Sequence, residues 1–517
     1  MPPFAKGSRF SQGWRAAGLM LHVTSLPGPY GVGDLGPEAV AFLDFLRRSG
    51  CRHWQILPLN PPSMGDSPYS AYSVFAGHEL LVSPDLLVQD GWLTAEEAAR
   101  ARQAPSAKAD FAKTIELKTA LLDRAFEKAG AALTEREDFG RFDRQEAMWL
   151  HDYAFFRAMK ADQDDRPWTR WPEPLKRRDD ACLARHGTRL ARPILRIKFG
   201  QFLFFEQLRR LKEQAAARDV KLVGDAAFYA NHDSSDVWAN QPLFVLDEQG
   251  EAGLMGGVPP DYFAENGQLW GNPVYDWAAA QNEKFAWWLS RLARNLALFD
   301  WVRLDHFRAF CGFWAVAAGE TTARRGTWLP APGAALLEAA GAPLNVVAED
   351  LGMITPDVTE LRRRFDLPGM RVLQFGFGPD QGTSLHAPFR IEPDNLVYAG
   401  THDNNTTRGW FEQQLDEAAR RRLADLAGHE VKADDAAWTL IRLAFLSPGA
   451  LCLATVPDLL NLGAEARFNV PGTAWGNWTW RLTSLEALTP RLAERLANLA
   501  ALSGRDDLTH PNLLTYG

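Results

Sequence analysis

Short apolar runs recur along this chain, most of them preceded by a helix-length segment, and that alternation restricts the fold more than any other feature. "GLMLHVTSLPG" (Gly18–Gly28) reads as a first strand and loop, and "HWQILPL" (His53–Leu59) as the second. Between them "PEAVAFLDFLRRSG" (Pro37–Gly50) has Pro at its start, an apolar face and a closing Gly, which marks a helix. The helix "QFLFFEQLRRLKEQAAARD" (Gln201–Asp219) then leads into "VKLVGD" (Val220–Asp225), and "FAWWLSRLARNLALFD" (Phe285–Asp300) into "WVRLD". "GAALLEAAG" leads into "LNVVAED" (Leu344–Asp350), and "PDVTELRRRF" into "MRVLQFGF" (Met370–Phe377). "NLVYAGTHD" (Asn395–Asp403) follows, and "AAWTLIRLAFLS" precedes "ALCLATV" (Ala450–Val456). Eight apolar strands alternating with helices predict an α/β fold, a (β/α)8 TIM barrel.

The chain is expected to form one catalytic barrel over residues 1–517, with two insertions. The first, at 84–192 after the second strand, reads as largely helical. Within it "FAKTIELKTALLDRAFEKAG" places Phe111, Ile115, Leu122 and Phe126 on one face. "KRRDDA" (Lys176–Ala181) reads as solvated surface. The second insertion, 226–284 after the third strand, is loop-rich. Its Gly/Pro stretch Gly253–Pro273 carries Asp261, Tyr262, Phe263, Gln268 and Trp270, a composition suited to a lid or a stacking surface. The segment after the second strand brings Tyr69 to the same rim.

A net charge of −8 argues against nucleic acid or an anionic membrane as partner. Four scattered cysteines with no CxxC pair predict reduced thiols in a cytoplasmic protein. No apolar run reaches the ~18 residues of a membrane helix, and the N-terminus does not read as a signal peptide.

Barrel enzymes place their reactive groups at the C-terminal ends of strands. Four of these strands end in acids: Asp225, Asp305, Glu349 and Asp403. In "WVRLDHFRAF" (Trp301–Phe310) the two-residue period puts Arg303 and Asp305 on one face. A cation there favours an ionised carboxylate, which suits a nucleophile. Glu349 ends an apolar strand, where desolvation keeps a carboxyl protonated as a general acid requires; by composition Asp350 fits that position equally well. Asp403 is placed to stabilise positive charge, and His306 and His402 to donate to hydroxyls. A single strand-end acid is often a loop cap or structural ion pair; four together point to a site. A metal-dependent reading would use His22, Asp305, His306, Glu349, His402 and Asp403, but the first strand lacks an HxH pair.

"LHVTSLPGPYGVGDLG", "GDSPYS", "GDAAFYANHDSSDVWAN", "GVPPDYFAENGQLWGNPVYDW", "RLDHFR", "VVAEDLG", "GTHDNNTTRGW" and "EARFNVPGTAWGNWTWRL" together resemble the 4-α-glucanotransferases, relatives of the α-amylase superfamily. The resemblance runs along nearly the whole chain. It implies transfer of an α-1,4-glucan segment to the 4-hydroxyl of another glucan or of glucose, with no cofactor and no metal. By this likeness Asp305 is the nucleophile, Glu349 the acid/base and Asp403 the transition-state stabiliser. Tyr69, Asp225, Gln268, Trp270, Arg303, His306, His402 and Asn469 would contact sugar, with Asp261, Tyr262 and Phe263 in a loop over the site. The rivals are an α-glucan hydrolase using the same acids and a glucan-binding barrel without turnover.

Overall fold

A computed structural model describes residues 14–260, 265–341 and 344–506. Eight parallel strands form its centre: β1 (Ala16–Met20), β2 (His53–Gln55), β3 (Lys221–Ala226), β4 (Trp301–Leu304), β5 (Val346–Ala348), β6 (Gly369–Val372), β7 (Asn395–Tyr398) and β8 (Leu451–Thr455). Each pairs with its neighbours in sequence, β1 through β5 on one side and β6 through β8 back to β1 on the other. The remaining gap is bridged where the Ala348 N–H donates to the Pro368 carbonyl at 2.8 Å, so the sheet is a nearly closed barrel.

Alternation along the strands builds the interior. Val223 of β3, Trp301 of β4, Val347 of β5, Met370 and Val372 of β6, Leu396 and Tyr398 of β7, and Leu451 and Leu453 of β8 pack together inside. The residues between them, Leu222, Val302, Val346, Ala348 and Val397, pack outward in the larger core shared with the helices. Continuing the same period past the apolar layer brings Asp225, Arg303, Asp305 and Glu349 inward at one mouth. Strand ends that the sequence places in longer apolar runs are shorter here; the residues after Val372 turn into a 3-10 helix, Leu373–Phe377.

Among the helices, α1 (Pro37–Arg48) follows its expected limits. α2 (Phe111–Ala129) has the expected span but a different buried stripe. Ile115 is 47% exposed, while Thr114 and Lys118 lie inside. The reason is electrostatic: the Lys118 ammonium reaches Asp34 at 3.1 Å, and both side chains are buried. α3 runs from Ala191 to Ala217, ten residues longer at its start than the Gln201 onset read from sequence. Pro193 falls in its first turn, where a missing N–H costs nothing. Lys176 and Arg178 are not simply solvated: Lys176 pairs with Glu173 at 2.8 Å, and the Arg178 guanidinium lies 4.2 Å over the Trp238 ring.

A second sheet was not legible in advance. Leu254–Val258, Gln268–Pro273, Gly312–Ala317 and Thr327–Pro330 form an antiparallel sheet of four. The Gly253–Pro273 stretch, read as a loop, thus supplies two of its strands. Asp261, Tyr262 and Phe263 lie outside the described residues. No helix among those described is long and apolar enough to cross a membrane. Cys51, Cys182, Cys311 and Cys452 are free thiols.

Candidate active site

The β3 and β4 ends meet through Arg303. Its Nη1 lies 2.9 Å from both Asp225 oxygens, and its Nη2 lies 2.8 Å from Asp305 Oδ1. Burial works against the guanidinium charge, but Asp225 and Asp305 more than reverse that and hold it well above its ordinary range. Burial raises the Asp225 carboxyl against the pull of Arg303. The Tyr69 hydroxyl donates to Asp225 Oδ2 at 2.8 Å. Asp225 and Arg303 are both buried, so this pair forms a floor beneath Asp305, which remains open to the groove.

His306 follows Asp305 with φ +51, a left-handed conformation that a non-glycine residue adopts at a cost of roughly 1–2 kcal/mol. The turn aims its N–H at Glu349 Oε2, 2.7 Å away. The Leu351 N–H holds Oε1 at 2.9 Å, and the Phe307 N–H donates to the Glu349 carbonyl at 3.1 Å. Glu349 is therefore fixed against the peptide that carries Asp305. Burial is the largest cause raising its pKa; Asp305 adds to it, while Arg303 and the two N–H donors oppose, and the carboxyl is pushed up to about 8. Asp350, the compositional alternative, is buried and bound elsewhere. It accepts from the Met370 N–H at 2.7 Å and pairs with Arg371 at 3.0 Å, bracing the β5–β6 closure.

Asp403 lies beyond β7. Burial raises its carboxyl, but His402, the Asn469 amide and Arg303 together outweigh that and hold it well below the usual carboxylate range. Asn469 Nδ2 donates to Oδ1 at 2.6 Å, and His402 Nε2 lies 3.2 Å from Oδ2. The same Nε2 lies 2.9 Å from the Tyr69 hydroxyl. Since that hydroxyl gives its proton to Asp225, the histidine is the donor. His402 is thus buried beneath Asp403 rather than open to the groove. Tyr69 stacks on it with ring centroids 5.2 Å apart.

His306 packs edge-on to Trp270 at 5.0 Å, and Trp270 Nε1 donates to Gln268 Oε1 at 3.3 Å. Burial lowers His306 to about 4, so the imidazole is neutral at pH 7, and its Nε2 has no hydrogen-bond partner among the described residues. The structure therefore gathers Tyr69, Asp225, Gln268, Trp270, Arg303, Asp305, His306, Glu349, His402, Asp403 and Asn469 around one barrel mouth. Two residues were missed. Trp478 packs against both Tyr69 and His402 at 5.9 Å. Arg467 donates to the Asp403 carbonyl at 2.7 Å and to the Asn469 carbonyl at 2.6 Å. Both lie in the Glu465–Leu482 run, but nothing in their spacing reveals a partner 64 or more residues away. Among the described residues no group of three or more His, Cys, Asp or Glu is placed to hold a metal ion.

A floor cation, an open carboxylate, a raised carboxyl fixed beside it and a third, ionised acid suit acid/base and nucleophilic work on a neutral polyol. Comparisons agree. A family model described as 4-alpha-glucanotransferase matches residues 21–487. The chain is 42% identical over 499 residues to the 4-alpha-glucanotransferase of Synechocystis, spanning 95% of this chain and 98% of that one. It is 42% identical over 506 residues to the Thermus thermophilus enzyme of the same name, spanning 95% and 99%. The amylomaltase of Streptococcus agalactiae, solved in complex with acarbose, superimposes with a TM-score of 0.91 at 32% identity, over 95% of this chain and 99% of that one. This chain belongs to the 4-α-glucanotransferase family.

Proposed function

We propose that this enzyme is a retaining 4-α-glucanotransferase that moves α-1,4-glucan segments to the 4-hydroxyl of another glucan or of glucose. Glu349 gives its proton to the glycosidic oxygen as Asp305 attacks the anomeric carbon. The C–O bond breaks, one glucan leaves with a new hydroxyl, and the other stays as an ester on Asp305. The ionised Glu349 then takes the proton of the acceptor hydroxyl, whose oxygen attacks the anomeric carbon and releases Asp305. Two inversions give retention.

The observation that carries this reading is the His306 N–H bond to Glu349 Oε2, which ties the acid to the peptide of the nucleophile. The neighbouring Asp305 charge supplies the switch. Asp305 contributes to raising Glu349, so when esterification removes the Asp305 charge, Glu349 falls toward an ordinary carboxylate and becomes a base. Asp403, held ionised, stabilises the cationic ring in each transition state. Asp225, Arg303 and His402 act from beneath, as positioning residues for Asp305 and Asp403. Gln268, Trp270 and Tyr69 face the sugar, with the enclosed His306 ring packed edge-on against Trp270. The complex of the Streptococcus agalactiae relative with acarbose supports a ligand of that kind here.

Incubation with maltotriose tests the reading. A transferase yields oligosaccharides longer than the donor together with glucose or maltose, and Asp305→Asn yields neither. Wild-type products confined to glucose and maltose would make the enzyme a hydrolase, and undiminished turnover by Asp305→Asn would remove the assigned nucleophile.

A further inference from the structure

We propose that Trp475 is a stacking platform for the length of glucan chain that lies outside the catalytic centre; the proposal rests on the transferase reading above. Trp475 is 74% exposed, more than any other large hydrophobic side chain among the described residues. A lone exposed apolar residue needs no explanation, but this one has company and a foundation. Met64, on the facing loop, is 57% exposed. The two loops touch at their tips: a Cβ on Gly65 would come within 2.2 Å of the Ala474 carbonyl oxygen, and Gly65 has φ +63. Only glycine allows that approach, and it sets Met64 and Trp475 on either side of one contact.

The loop bearing Trp475 is braced. The Val470 N–H donates to Asn477 Oδ1 at 3.0 Å, and Asn477 Nδ2 returns a bond to the Thr473 carbonyl at 2.9 Å. The Thr473 N–H closes the turn on the Val470 carbonyl at 3.1 Å. Both feet stand in the catalytic wall: Asn469 on Asp403, and Trp478 against Tyr69 and His402. Trp475 and Trp478 are three positions apart, so the chain keeps their Cα atoms within ~11 Å. An indole presented at that reach, on a loop that does not need it for its own hydrogen bonds, is a surface for something passing the rim.

Its chemistry selects the ligand. Residues 470–477 carry no charged side chain, so the surface offers nothing to a phosphate or an acidic peptide. A flat apolar face takes the C–H face of a pyranose, and an α-1,4-glucan presents such faces in series. A chain whose reacting sugar sits among Asp305, Glu349 and Asp403 must leave the groove along its walls, and the loop footed there by Asn469 and Trp478 carries the exposed Trp475.

The test uses the full-length enzyme. For Trp475→Ala, Trp475→Phe and Trp475→Leu, kcat/KM is measured with amylose and with maltotriose as donor. The ratio of the two is expected to fall about three- to tenfold in the Ala and Leu variants, through KM, and to recover in Phe, which keeps a flat face. Binding of amylose to the Asp305→Asn variant, by affinity gel electrophoresis, should weaken by a similar factor when Trp475→Ala is added. An unchanged ratio, or a Leu variant as good as Phe, would overturn the platform. Failure of the wild type to lengthen maltotriose would overturn the transferase reading, while the electrophoresis would still decide the fate of Trp475.

Discussion

Glu349 shows how a single environment sets both rate and stability. Its carboxyl sits at about 8 chiefly because it is buried, with the Asp305 charge adding to the effect. In the proposed mechanism the protonated form starts the reaction, so kcat/KM for maltotriose disproportionation should fall as pH rises through about 8. A profile flat to roughly pH 10, or one falling by pH 6, would contradict this. Stability carries the same sign. A folded-state value above the unfolded one gives a contribution fully present below about 4.5 and lost as pH climbs through about 8. Glu349→Gln cannot ionise, so its melting temperature should gain on the wild type as pH is raised from roughly 5 to 9, and a constant difference would reject the shift. Much of this residue chemistry was legible: period-two alternation alone put Arg303 beside Asp305. The choice of Glu349 over Asp350 was not. Adjacent acids at a strand end differ only in the face they occupy, and that is settled by Arg371 and the Met370 N–H claiming Asp350.

At the level of elements, α2 separates what a pattern can and cannot tell. Apolar spacing marks Phe111, Leu122 and Phe126 correctly, and all three are buried. It also marks Ile115, because nothing in the helix itself shows that Lys118, 2% exposed, meets Asp34 from the first strand–helix loop. Ile115→Lys should therefore change stability by no more than about 0.5 kcal/mol. Lys118→Met leaves Asp34 buried without its counter-ion and should cost about 3–5 kcal/mol, most of it restored by adding Asp34→Asn. Urea midpoints of the three variants decide it; a neutral Lys118→Met would show that the pair contributes nothing. The antiparallel sheet escaped for a related reason. Its strands come from both sides of β4, and Leu254–Val258 pairs with Gly312–Ala317 across more than fifty residues. Gly-rich strands such as "LMGGV" carry little propensity of their own and form because a partner strand is there.

Across the whole molecule, the two mouths of the barrel divide the work. The acids crowd the C-terminal ends of the strands, while the opposite end is secured by arginines that hold main-chain carbonyls. Arg505, fully buried, donates to the carbonyls of Phe445, Ala16, Ala450, Ser447 and Gly449 at 2.7–3.1 Å. Arg15 adds bonds to Ser503, Pro448, Phe445 and Ser447 from the neighbouring segment. Together they bind residues near both ends of the described chain to the seam between β8 and β1. Burial lowers the Arg505 guanidinium only to about 10, so it stays charged near neutrality and each bond is charge-assisted. Arg505→Ala strands several of these carbonyls in the interior at once, and the loss should be about 3 kcal/mol or more. Because the barrel lies between this seam and the acids, kcat and KM for maltotriose measured well below the melting temperature should stay within about twofold of wild type. Thermal unfolding and initial rates on the same preparation separate the two effects. A kinetic loss matching the thermal one would mean that the closed end of the barrel also sets the geometry of the open end.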